Sequence, residues 1–179
     1  TSLENGLSYL NKLHELGVRT VVFSTREPLL YDGLCRLIYE AKLLDMSVAI
    51  VTNGILLDDM ELSRKLVESG VDEVFVSIEG ITAASNDFIR GKGTLARVIR
   101  GLSNLERCTR EGKKLVRLFI QMSINQLNMA EGSDMPEFFN VLPIDGLIIS
   151  AIGASGNAAK NRDIILSQES DEYIACLLY

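Results

Sequence analysis

Five near-continuous apolar runs constrain this chain most: "VRTVVFS", "SVAIVTNG", "DEVFVSIEG", "LVRLFIQMSIN" and "IDGLIISAIG". Each is rich in β-branched residues and short, as a buried strand is. Between them lie amphipathic stretches with apolar residues at helical spacing. Leu34, Leu37, Ile38 and Ala41 share one face, as do Leu95, Val98, Ile99, Leu102 and Leu105. Strand and helix alternate about every thirty residues, the length of a βαβ unit. Strands without an alternating polar face predict burial on both sides, the signature of a parallel sheet. The fold class is α/β. The pattern fits a partial (β/α) barrel or an open doubly wound sheet, and right-handed crossovers are common to both.

The ends of the pattern carry weaker signals. Thr1-Ser-Leu-Glu4 has the spacing of a capping box, and Leu3, Leu7, Leu10 and Leu13 predict a first helix. Asp58 with Glu61 predicts the cap of a third helix. "ITAASNDFIRGKG" reads as a long loop, and the segment from Ser167 as a helix. The 179 residues suit one domain. A barrel normally opens on a strand, whereas this chain opens on a helix and closes within "YIACLLY". The expectation is a single, incomplete barrel core, lacking a first strand before Thr1 and cut short at the C-terminal end.

Several functional classes are disfavoured. The formal net charge of −6, with no long basic run, argues against nucleic acid or an anionic membrane as partner. No apolar run reaches the roughly 18 residues that span a bilayer, and no signal peptide is evident. A cytoplasmic location is therefore expected. Cys35, Cys108 and Cys176 are far apart on predicted helices, so they read as free thiols and not as a metal set. His14 is the only histidine, which leaves neither a zinc site nor a Ser-His-Asp triad. "GKGTL" lacks the spacing of a phosphate loop.

In both architectures ligands bind at the carboxyl ends of the strands. There the chain offers Ser24, Thr25, Arg26 and Glu27, then Thr52 and Asn53, then Ser77 and Glu79, then Ser123 and Asn125, then Ser150. Glu27 can accept from an ammonium, and Pro28 holds its backbone extended. Asn53 and Ser77 suit ribose hydroxyls or a carboxylate. Arg90 can grip a carboxylate through two parallel bonds, with Asp87 near enough in sequence to orient it. An amino acid joined to a nucleoside would use all of these groups.

Taken in order, these strand ends resemble those of the radical S-adenosylmethionine (SAM) enzymes, and more narrowly the peptide-modifying branch that includes the sulfatase-maturing enzymes. "TREPLL", residues 25–30, stands where that family has "GGEPLL". "TNG" is intact at residues 52–54. "SIEG", residues 77–80, and "DFIRGKG", residues 87–93, match "SxDG" and "D..RG.G". The resemblance runs from about Leu3 to Gly156. It implies a partial (β/α) barrel in which a 4Fe-4S cluster reduces SAM to a 5'-deoxyadenosyl radical that abstracts hydrogen from a peptide or protein. An electron donor for the cluster is implied as well. By motif, Thr25, Arg26 and Glu27 fall where the SAM ammonium is held. Asn53 lines the nucleoside, Ser77 and Arg90 meet the ribose and carboxylate, and Ser123 is carried over on the fourth strand. The family's CxxxCxxC loop is absent, so the cluster ligands are expected outside this chain. Thr25 and Arg26 replace two glycines, and an inactive SAM-like scaffold or peptide-binding module is the alternative reading.

Overall fold

A computed structural model of the chain describes residues 2–151. Helix α1 (Leu3–Glu15) leads into strand β1 (Thr20–Phe23). Then follow α2 (Leu34–Leu43), β2 (Ser47–Thr52), α3 (Met60–Glu68), β3 (Glu73–Ser77), α4 (Ala83–Arg90), α5 (Thr94–Gly112), β4 (Arg117–Ile124), α6 (Met135–Asn140) and β5 (Gly146–Ala151). Short 3₁₀ turns follow β1, β2 and β4, at Pro28–Leu30, Ile55–Asp58 and Met129–Glu131.

The five strands are parallel, and their spatial order is their chain order. A doubly wound sheet reverses direction at a switch point. This sheet never does, which decides between the two architectures: it is an open arc of a (β/α) barrel. Register follows directly, with Val21 beside Val48, Ile50 beside Val74, Phe75 beside Phe119 and Ser123 beside Ser150.

Alternate strand residues, Val48, Ile50, Val74, Val76, Ile120 and Met122 among them, join Ile38, Leu66, Leu102 and Leu105 of the helices in one core. Each fully buried aliphatic side chain of this kind contributes about 1.5–3 kcal/mol. The other sheet face is not covered in the same way. Phe75 and Phe119 stack there with centroids 4.9 Å apart, and Val22 and Ile148 stay 55% and 43% exposed. The expectation of burial on both faces is thus corrected among the described residues. Their β-branched content reflects strand propensity as well as burial.

Three local readings also change. Ser2 caps α1, accepting from the Asn5 amide at 3.3 Å. Asp59, and not Asp58, caps α3, taking the amides of Glu61 and Leu62 at 2.8 and 3.3 Å. Asp58 instead accepts two bonds of 2.8 Å from Arg100, tying the 3₁₀ turn to α5. The expected loop at residues 81–93 contains α4. Its outward Phe88 and Ile89 remain exposed, so it carries no clear apolar stripe. It is held from its polar start: Glu131, some fifty residues away, accepts from the Ile81 amide (2.8 Å) and from the Thr82 and Ser85 hydroxyls (2.7 and 2.6 Å). The predicted helix from Ser167 lies outside the described residues. No helix among the described residues is long and apolar enough to cross a membrane.

Candidate functional site at the carboxyl rim of the sheet

Two carboxylates organise the rim. The first is Glu27. Its Oε1 accepts from the Thr52 hydroxyl at 2.6 Å and the Leu29 amide at 3.1 Å, and its Oε2 accepts from the Asn53 amide at 2.8 Å. Thr52 in turn accepts from the Gly54 amide at 3.0 Å, and Asn53 Oδ1 accepts from the Ile55 amide at 2.9 Å. "EPLL" and "TNG" are therefore the two halves of one hydrogen-bonded unit that fastens the end of β1 to the end of β2. Pro28, locked at the start of its turn, presents the Glu27 side chain towards β2.

The second is Glu79, just past β3. It pairs with Arg90 at the end of α4, and its Oε2 accepts from the Ser123 amide of β4 at 3.1 Å. Its own amide donates to Asn86 Oδ1 at 2.9 Å, and its carbonyl accepts from Asn128 Nδ2 at 3.0 Å. Asn128 also donates to the Ser123 carbonyl at 2.8 Å. β3, α4 and β4 meet at this one residue.

Of the residues singled out by sequence, Glu27 and Asn53 come together directly, and Arg90 and Ser123 come together through Glu79. Ser77 ends β3 in the row next to Asn53, because Thr52 pairs in register with Val76. Thr25 and Arg26 are exposed. Both hold left-handed backbone, with φ of +83° and +54°. That is the conformation glycine adopts freely, and for a β-branched threonine it costs on the order of 1–2 kcal/mol. The chain keeps the shape of a glycine turn without the glycines.

Asp87 does not orient Arg90. Its carboxylate accepts from the amides of Leu95 (3.0 Å) and Gly93 (2.5 Å), the Asn86 side chain (3.1 Å) and the Thr94 hydroxyl (3.0 Å). It builds the start of α5, and these donors, the Leu95 amide foremost, hold its carboxyl down at about 2. Lowering a folded-state pKa favours folding above the unfolded value and loses that contribution as pH falls through the folded one. Stability should therefore decline between about pH 4 and pH 2, and Asp87→Asn should flatten the decline; acid titration followed by circular dichroism measures it.

The sequence placed Thr52 and Glu79 on the rim, inside "TNG" and "SIEG", but gave them no role in holding a ligand; nothing local marks Asn128. A cavity of about 600 Å³ opens at the opposite, amino-terminal ends of the strands, lined by Thr20, Ser47, Asp72, Glu73 and Arg117. Its charges already pair, Glu73 with Arg117 and Asp72 with Lys42, and chemistry in parallel sheets sits at the other end.

Metal ligation is a separate matter. Cys35 lies on α2 and Cys108 on α5, where its Sγ is 3.5 Å from Met60 Sδ; both are free thiols. Burial pushes both thiols up. Cys176 lies outside the described residues. Among the described residues no three Cys, His, Asp or Glu side chains converge to hold a metal, so a 4Fe-4S cluster does not fit on them.

Known proteins resemble this chain in sequence and in fold. The chain is 33% identical over 141 residues to the Fe-coproporphyrin III synthase of Methanosarcina barkeri, which covers 79% of the chain and 33% of that protein. It is 35% identical over 91 residues to the PqqA peptide cyclase of Gluconobacter oxydans, covering 50% and 25%. The chain thus spans a third or less of these relatives. Its structure superposes on that of Streptococcus suis SuiB bound to S-adenosylmethionine with a TM-score of 0.76 at 15% identity, covering 100% of the chain and 40% of SuiB. The family model for the Radical SAM superfamily matches residues 1–120. With its parallel arc and its paired rim motifs, the chain belongs to the radical SAM superfamily.

Proposed function

We propose that this chain is the SAM-binding core of an enzyme that acts on a peptide or protein. The observation that carries this is the placement of two anchored charges, Glu27 and Arg90, on one rim with Asn53 and Ser77 between them. A carboxylate, a guanidinium and intervening amide and hydroxyl groups complement the ammonium, carboxylate and ribose of an amino-acid nucleoside. When bound together with a reduced 4Fe-4S cluster held elsewhere in the protein, SAM supplies a 5'-deoxyadenosyl radical that abstracts hydrogen. This chain's own residues bind and orient. Glu27 has a lone pair on Oε2 beyond its bond to Asn53. Arg90 has donors beyond the one that meets Glu79. Thr25 and Arg26 immediately precede Glu27 after β1, Ser123 lies two residues beyond Gln121 on β4, and the stacked Phe75 and Phe119 lie one row below Ser77 and Gln121.

A peptide substrate is supported by the PqqA peptide cyclase among the relatives. The match to an Fe-coproporphyrin III synthase makes a tetrapyrrole the competing substrate class. The second reading, a SAM-like scaffold without activity, is favoured by Thr25 and Arg26, which hold a glycine turn at a cost in strain and set a cation beside Glu27. Calorimetry with SAM on the intact protein, as wild type and Arg26→Gly, separates these readings. Arg26 is exposed, and solvent screens its charge, so the wild type should bind and Arg26→Gly should change affinity by no more than about threefold, under ~1 kcal/mol. Binding by Arg26→Gly alone supports the scaffold; binding by neither refutes the SAM site.

A further inference from the structure

Glu79 is the one charged side chain that is buried among the described residues, 7% exposed as a residue. A carboxylate removed from water is retained only where charge and hydrogen bonds replace its hydration. Glu79 has both, from Arg90 on Oε1 and from the Ser123 amide on Oε2. It cannot drift, because its backbone is held by Asn86 on one side and Asn128 on the other.

What needs explaining is Arg90. An arginine in the last turn of a helix ordinarily extends into water and keeps its rotamer freedom. This one is drawn inward, its side chain 28% exposed, and anchored through a single Nη2 contact. Its Nε is buried without a hydrogen-bond partner. Burying that donor is a cost with no structural return. Such a cost is accepted where a guanidinium must stand in one place. A guanidinium has five donors in a rigid fork, and the acid uses the one that fixes its position.

We propose that Glu79 is a positioning residue for ligand binding: its buried carboxylate aims the Arg90 guanidinium at a ligand carboxylate on the rim, and through the Ser123 amide it ties the end of β4 to the same contact. This rests on the reading of the rim as a SAM site. Glu79 itself touches no ligand in this account, because its carboxylate is buried between the Arg90 guanidinium and the Ser123 amide.

The test uses the intact protein and two ligands. SAM carries the amino-acid carboxylate; 5'-methylthioadenosine shares the nucleoside and lacks it. Calorimetry on wild type, Arg90→Ala, Glu79→Gln and the double variant gives the outcome. Both single variants should weaken SAM by about tenfold or more, the scale of a lost charged hydrogen bond, and leave 5'-methylthioadenosine within about twofold. The double variant should be no weaker than Arg90→Ala, since one residue acts through the other. Equal loss of both ligands in Glu79→Gln would show a merely structural role and overturn the proposal. Loss of SAM in Arg90→Ala with none in Glu79→Gln would overturn it while leaving Arg90 as the carboxylate ligand. No loss in Arg90→Ala would overturn the underlying reading as well. If Glu79→Gln does not fold, Glu79→Asp keeps the charge but retracts it by one methylene. A selective loss of SAM in that variant upholds the proposal, and an unselective one or none overturns it.

Discussion

Replacing Glu27 by alanine should destabilise the intact protein by about 2–4 kcal/mol and abolish SAM binding together. Three donors lose their acceptor at once: the Thr52 hydroxyl, the Leu29 amide and the Asn53 amide. Thr52 is 2% exposed, so water cannot simply take the place of the carboxylate there. Hydrogen bonds to an ionised group are worth about 1.5–3 kcal/mol each, and a shared acceptor makes the three less than additive. Glutamine should cost less. Its carbonyl can keep Thr52 and Leu29, but its NH₂ then faces the Asn53 amide, donor against donor. Ranking the melting temperatures as wild type, Glu27→Gln, Glu27→Ala is the expected outcome. Equal melting temperatures for all three would show that the β1 and β2 ends do not depend on this carboxylate.

Gly54→Ala should be as damaging, by about 2–5 kcal/mol, without touching a ligand. Gly54 has φ of +74°, where a Cβ costs about 1–2 kcal/mol. A Cβ there would also lie 2.5 Å from Val76 Cγ1 and 3.4 Å from Val98 Cγ2. Val76 is fully buried and belongs to β3, and Val98 lies on α5 within the core, so neither has room to retreat. Overpacking of this kind typically adds about 1–3 kcal/mol. The loss should appear as a lower melting temperature. A variant that melts as the wild type does would mean that the β2 end can shift away from β3. Because the Gly54 amide also donates to Thr52, the same movement would loosen Glu27.

Much of the fold was legible because hydrophobic periodicity reports local burial. Five strands and the helices α1, α2, α3 and α5 could be placed from apolar residues alone. The polar strand ends, and three motifs in order, pointed to the rim and to the family. α4 was not legible: its exposed Phe88 and Ile89 leave no clean apolar face, and its N-terminal support comes from Glu131 on another loop. Periodicity alone could not choose between an open barrel arc and a doubly wound sheet, since spatial strand order is not written in any one element; the family resemblance implied the barrel, and the strand order bears it out.

At the site the division is similar. Local pattern was enough to say which side chains gather at the carboxyl rim, because strand polarity and alternation put Glu27, Asn53, Ser77 and Ser123 there once the strands are known. It determined the left-handed turn only as a mismatch, Thr25-Arg26 against a glycine pair. The partnerships emerge only from the packed fold. Glu27 meets Thr52 and Asn53, 25 and 26 residues away, and Glu79 meets Ser123 44 residues away. Asp87 turned out to cap α5, leaving Glu79 to hold Arg90. The reason is physical: a carboxylate takes whichever donors the packed core leaves nearest to it, and their identity depends on strand order and helix placement, which no local pattern encodes.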